Sequence, residues 1–215
     1  MTDRARLALV FIALLAMSFG FGVSASLGGA LVGFIIVLAL PALFIALLAG
    51  TTVFLWRGIK LARKPGRPVR SRILDIATAP VLAFTLLALS TPTFSMGSLT
   101  GAWLRLLSNR TQYEAIIASL EAGHRDRADG KHQSERGITF IADRGPPLRV
   151  AFNPEGILDN WSGIVFDPSQ DVVNAAPFDP VSGNGGARKS IISLFGGDLV
   201  RCRRLGGSYF FCSFT

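Results

Sequence analysis

The sequence is short of charge. No Asp, Glu, Lys, Arg or His occurs between Leu7 and Trp56, and over all 215 residues only 17% are charged while 50% are hydrophobic. Fifty uncharged residues in a row exclude an ordinary soluble domain and point to a lipid bilayer. Signature motifs are missing as well. There is no G-x-S-x-G and no cysteine in a catalytic context, so acyl-enzyme chemistry has no anchor. H-E-x-x-H is absent. The only histidines, His124 and His132, lie with Asp126, Asp129 and Glu135 in a segment, 124–137, without large apolar residues, which reads as an exposed, solvated connection rather than a metal site. Neither the calcium-loop pattern nor G-x-x-x-x-G-K-[ST] occurs. The stretch Gly183–Ser190 shares only the composition of a phosphate loop, and is read as a flexible segment whose Arg188 and Lys189 can meet an anionic partner. No catalytic residue, metal ligand or cofactor is expected.

The formal charge of +8 does not imply nucleic acid, because it is concentrated in one place. Arg57, Lys60, Arg63, Lys64, Arg67, Arg70 and Arg72 form a loop with seven cations and no anion, whereas residues 98–215 are close to neutral. Such a loop between apolar segments is a topology determinant, held in the cytoplasm by the positive-inside rule.

Three transmembrane helices are predicted, near 7–23, 30–56 and 73–96, with a turn at the small residues Ser24–Gly29 and a kink at Pro41. Asp75, just past Arg72, is expected as an interfacial carboxylate at a helix start. Gly29-x-x-x-Gly33 is a possible close helix contact, against a background in which glycine is common in membrane helices. With Arg4 and Arg6 inside, three crossings place the domain 98–215 outside. The excess of Arg over Lys suggests a bacterial host, hence an inner membrane with a periplasmic domain. Arg4, Arg6, the apolar run and Val23-Ser24-Ala25 also fit a cleavable signal peptide; cleavage after Ala25 would leave the same domain exported.

The membrane domain, 1–97, is followed by an exported α+β domain, 98–215, long enough for its own core. Tyr113, Ile116, Ile117 and Leu120 recur at helical spacing between Asn109, a candidate N-cap, and Gly123, a candidate stop. Trp103, Leu104, Leu106 and Leu107 precede them and either extend that helix or anchor at the bilayer surface. Short β-prone runs follow at 138–142, 148–152, 163–166, 172–174, 199–203 and 209–214, best assembled as an antiparallel sheet. Phe152-Asn153-Pro154, Phe166-Asp167-Pro168 and Phe178-Asp179-Pro180 read as strand ends entering turns, in preference to a calcium site built on Asp167, Asp171 and Asp179.

Cys202 and Cys212 are the only cysteines. A three-residue Gly206-Gly207-Ser208 loop pairs 205 with 209 and sets 202 opposite 212, so a structural disulfide is expected, favoured over a redox pair, which would normally be C-x-x-C. Asn160-Trp161-Ser162 and Asn109-Arg110-Thr111 match the glycosylation sequon, relevant only in a eukaryote. Trp161 is either a recognition residue or a core aromatic. The layout of helix, antiparallel sheet and C-terminal disulfide hairpin resembles that of type IV pilins, which depart from it in having one N-terminal helix and no basic loop. The leading expectation is a non-enzymatic inner-membrane protein whose exported domain binds a protein partner, for example as an accessory or assembly subunit of an envelope complex. Two alternatives stand beside it: an extracytoplasmic hydrolase of envelope glycans or lipids using carboxylates among Asp143, Glu155, Asp159 and Asp167, and a membrane-anchored ligand sensor.

Overall fold

The computed structural model describes residues 3–63, 65–66, 68–123, 130–143, 145–157, 160–174, 197 and 199–215. It divides into two compact units, Met1–Ser98 and Leu99–Thr215.

The first unit is helical: α1 spans Asp3–Ala62, and α2, Val69–Glu121, begins here and ends in the second unit. Hydrocarbon offers the backbone no hydrogen-bond partner, so a charge-free run of Leu, Ala, Ile, Val and Phe satisfies its peptide groups within a helix. Hydroxyls do the same locally: Thr51 donates to the Leu47 carbonyl at 2.7 Å and Thr85 to the Val81 carbonyl at 2.8 Å. The residues of the expected turn, Ser24–Gly29, are themselves helical, and the packing of Ser26 on α2 places the reversal of α1 after Ser26. Small residues do not end a helix when another helix takes up the space beside them, and here one does. Ser18 donates to the Ser90 carbonyl at 2.9 Å, Ser26 to the Ser98 carbonyl at 2.8 Å, and the Ser26 and Ser98 hydroxyls lie 2.8 Å apart. Between them, a Cβ on Gly22 would overlap the Phe94 carbonyl oxygen, and one on Gly97 would overlap the Phe19 carbonyl. Ser18, Gly22 and Ser26 thus form a small-residue seam at four-residue spacing, the geometry that lets helix backbones touch.

That seam also fixes direction. Both serine pairs are 72 residues apart, so this part of α1 runs parallel to α2. Gly58, however, sits against the Asp75 backbone, as in an antiparallel hairpin about the connection after Ala62. A straight α1 would carry Gly58 about 48 Å beyond Ser26, away from Asp75, which lies about 35 Å behind Ser98. α1 therefore reverses direction between Ser26 and Gly58. Three segments, Ala5–Gly28, Pro41–Ala62 and the helix Val69–Glu121, are long and apolar enough to cross a membrane. Their apolar side chains face outward, with Ile45 66% and Phe84 75% exposed, as a lipid-facing surface requires.

The second unit is an antiparallel sheet with the last part of α2 across one face. Its strands are β1 (Gln133–Glu135), β2 (Ile138–Asp143), β3 (Arg149–Ile157), β4 (Asn160–Phe166), β5 (Leu199–Gly206) and β6 (Tyr209–Phe214), in the order β1-β2-β3-β4-β6-β5. Leu106, Tyr113, Ile116, Ile117 and Leu120 of α2 pack on Phe140, Val150, Phe152 and Ile164. Ile141, Ala151, Val165, Phe210 and Phe214 form a separate cluster from the alternate positions. Burial on both faces explains why these strands read as apolar runs rather than strict alternations.

Four local expectations are corrected. Asn109 is no N-cap: α2 runs unbroken through it, and its side-chain amide donates to the Arg105 carbonyl at 2.9 Å within the helix. The helix does stop before Gly123, whose φ of +68° is a left-handed cap. Residues 124–129 lie outside the described residues, but Gln133–Glu135 is a strand, closed on β2 by Arg136 and Gly137 at φ 51° and 78°, the pair of left-handed residues that a type I′ hairpin turn needs. Val172–Asn174 is not a strand but belongs to a single helical turn, α3 (Asp171–Asn174), because the Asp167 carboxylate accepts from Val172 N–H at 3.0 Å and caps it. The β5–β6 connection is tighter than predicted: Gly206 pairs with Tyr209, and an irregularity between Arg204 and Gly206 restores 203 opposite 211 and 202 opposite 212.

Candidate functional site

Of the three Phe-Asx-Pro sequences, two are described and they differ. Phe152-Asn153-Pro154 lies inside β3, where the register shifts between Phe152 and Glu155. Asn153 adopts φ 45°, accepts from Thr139 N–H at 3.2 Å and donates to the Tyr113 hydroxyl at 3.2 Å, so it is a bulge tied to the helix rather than a strand end. Phe166-Asp167-Pro168 is the expected turn. Asp167 is fully buried and accepts from the backbone N–H groups of Ser169 and Val172. Phe178-Asp179-Pro180 lies outside the described residues.

Asp167 faces a cation that sequence reasoning did not single out. Arg149, 7% exposed in its side chain, reaches three carboxylates: Asp171 at 2.6 Å, Asp167 at 3.4 Å and Asp143 at 3.8 Å. Its Nε lies within ion-pair range of Asp167 but without the angle of a hydrogen bond. Asp167 and Asp171 are therefore gathered as the calcium alternative required, but around a guanidinium, which neutralises them. Among the described residues no group of three or more His, Cys, Asp or Glu side chains is placed to hold a metal ion. Glu155 pairs with Arg105 at 3.4 Å. Each described carboxylate of the hydrolase alternative is thus engaged by an arginine; Asp159 lies outside the described residues. His132 is exposed.

Cys202 and Cys212 are directly opposite across β5 and β6 and joined as a disulfide, Cα atoms 4.1 Å apart. Trp161 stacks on Phe214, ring centroids 4.2 Å and planes 11° apart, on the sheet face of the second cluster. Its ring is partly buried against that cluster. Arg188 and Lys189 lie outside the described residues. In the basic loop, Lys60 sits 3.5 Å over the Trp56 ring, and the cations Arg57, Arg63, Arg70 and Arg72 flank the chain reversal; Lys64 and Arg67 are outside the described residues.

Between α2 and the β5–β6 turn lies a cavity of about 260 Å³. Trp103, Leu107 and Arg110 of α2 line one wall, and Phe166, Leu205 and Tyr209 the other. Arg110 pairs with Glu114 at 2.8 Å, and that pair raises its pKa above the ordinary guanidinium value. Burial, with the charge of Glu114, pushes the Tyr209 phenol upward, so it is neutral at physiological pH. Arg204 donates to the carbonyl of Gly207, a groove residue, at 3.2 Å. The groove is apolar in its floor, and Arg110 is the one charged residue among those that line it. Trp103, Leu104, Leu106 and Leu107 were legible as an apolar run before the helix; that Phe166, Leu205 and Tyr209 face Trp103 and Leu107 was not.

The chain matches no protein-family model, no curated protein and no solved structure. The apolar helices suggest membrane association, and the disulfide suggests an oxidising compartment.

Proposed function

We propose that the chain is an integral protein of a bacterial inner membrane, amino terminus in the cytoplasm, that displays its α+β domain outside as a non-enzymatic binding module for a partner in the envelope. The observation that carries this reading is the conjunction of three apolar segments, a seven-cation loop and a disulfide beyond the last segment. The cations stay on the cytosolic side, an odd number of crossings exports the domain beyond them, and an oxidising compartment keeps the cross-link. Binding is preferred to hydrolysis because Asp143, Glu155 and Asp167 are each occupied by an arginine, whereas a general acid–base pair needs carboxylates free to exchange protons. A ligand-sensing role would use the same surface. Paired fusions after Thr215 test the orientation. Alkaline phosphatase should be active and a cytosol-dependent fluorescent reporter dark; the opposite pattern overturns the proposal.

A further inference from the structure

We infer that the hairpin joining α1 to α2 is a binding site for anionic phospholipid, with Arg57, Lys60 and Arg63 on the α1 side and Arg70 and Arg72 on the α2 side as donors to the headgroup phosphate. The protein does not neutralise these charges itself. Residues 57–72 carry seven cations and no anion, and counting Asp75 still leaves an excess of six. Arg57, Arg63, Arg70 and Arg72 form no ion pair among the described residues, and the Arg72 Nε has no hydrogen-bond partner there. Arg57, Lys60, Arg63 and Arg70 are exposed. The fold also fixes where the cations stand. Gly58 touches the Asp75 backbone, so α1 and α2 lie against each other at that point, and Arg57 and Arg72 fall within one helical turn of the contact, one on each helix. Two packed helices thus present the charge, rather than a loose tail. Lys60 adds an ammonium held 3.5 Å over the Trp56 ring, an aromatic of the kind enriched at the headgroup level. What surrounds the cations selects an amphiphile. Val69 and Ile73 are 70% and 60% exposed, and Val53 and Trp56 are exposed beside them, so apolar surface adjoins the charge on both helices. A soluble polyanion would satisfy the cations and leave that surface bare; a phospholipid covers it with acyl chain while its phosphodiester accepts charge-assisted hydrogen bonds from the guanidinium groups. The source is at hand, because segments long and apolar enough to cross a bilayer run into the hairpin from both sides, Pro41–Ala62 and Val69–Glu121.

The inference rests on the reading of these segments as membrane helices, but not on which side of the bilayer the hairpin faces. The full chain carrying Trp103→Phe and Trp161→Phe retains Trp56 as its single tryptophan and can be purified in neutral detergent. Titration with phosphatidylglycerol brominated on its acyl chains should quench that fluorescence saturably, and brominated phosphatidylcholine should do so much more weakly. Arg57→Gln or Arg72→Gln should raise the half-saturating concentration about fivefold each, whereas Arg201→Gln, in the sheet unit, should leave it unchanged. Native mass spectrometry of the unsubstituted chain with the same two lipids gives the comparison again without the tryptophan changes. Equal quenching by both lipids means general detergent-belt contact and overturns the inference. So does the absence of quenching, which would leave the cations to a soluble polyanion, and so does displacement of the brominated lipid by glycerol 3-phosphate as readily as by unlabelled phosphatidylglycerol, which would mean that phosphate alone is bound. The reporter fusions are read separately. Selective quenching with a cytosolic reporter signal after Thr215 would retire the orientation and keep the lipid site; the expected reporter pattern without selective quenching would retire the lipid site alone.

Discussion

Gly22 and Gly97 lie back to back, each so close to the opposite helix that a single added carbon would overlap a carbonyl. Around them, Ser18 and Ser26 direct their hydroxyls to α2 rather than to their own helix. Gly97→Leu should therefore force the helices apart and cost about 2 kcal/mol or more, whereas Ser26→Ala should cost about 0.6 kcal/mol. Thermal melting of the purified full chain in one detergent checks the order; equal effects would mean that the seam is not tightly packed.

The disulfide closes a loop with a sequence separation of 10 residues. Chain-entropy reasoning gives it about 2.5 kcal/mol. Cys202→Ser with Cys212→Ser should lower the urea midpoint of the sheet domain, and reducing agent should lower that of the native chain but not of the double variant.

Arg149 is the counter-ion of a buried carboxylate. Arg149→Met removes the charge and leaves Asp167 fully buried with only hydrogen-bond donors around it, which should destabilise the domain by about 3 kcal/mol. Pairing that change with Asp167→Asn should recover part of the loss, measured as a double-mutant cycle by chemical denaturation. No recovery would separate the two side chains energetically.

Tyr113, in the sheet-bearing unit Leu99–Thr215 and beyond the predicted third span near 73–96, offers a pH test. Burial against Phe152 pushes its phenol to about 12, with Arg105 and the hydrogen bond from Asn153 pulling weakly the other way. A folded pKa above the unfolded value near 10 means that the neutral phenol is favoured by the fold. The stabilisation, on the order of 2 kcal/mol, is complete below pH 10 and disappears as the pH rises towards 12. Tyr113→Phe should flatten that part of the stability profile while losing the Asn153 bond at neutral pH.

What the sequence made legible depended on how local its cause was. The charge-free run from Leu7 to Trp56 marks apolar helices by composition alone, and Gly123 marks the end of α2 through its own backbone preference. β2 and β6 follow from β-branched and aromatic residues between turn formers. By contrast, Gln133–Glu135 has little strand propensity and is a strand only because β2 offers a ladder beside it. Val172-Val173 has the composition of a strand, but a carboxylate five residues upstream caps a helical turn there. Ser24–Gly29 reads as a turn but is helical, with Ser26 against Ser98, and α1 reverses between Ser26 and Gly58. The groove and the Arg149 cluster were beyond reach for the same reason, since each joins residues that meet only when the sheet is complete.

The pairing of Cys202 with Cys212 also acts as a proofreading step for the carboxyl-terminal hairpin. Slipping β5 by one residue would turn Cys202 to the opposite side of the sheet from Cys212, because side chains alternate sides along a strand. Oxidation then becomes a gate that only the right alignment opens, and a misaligned edge stays reversible until it finds that alignment.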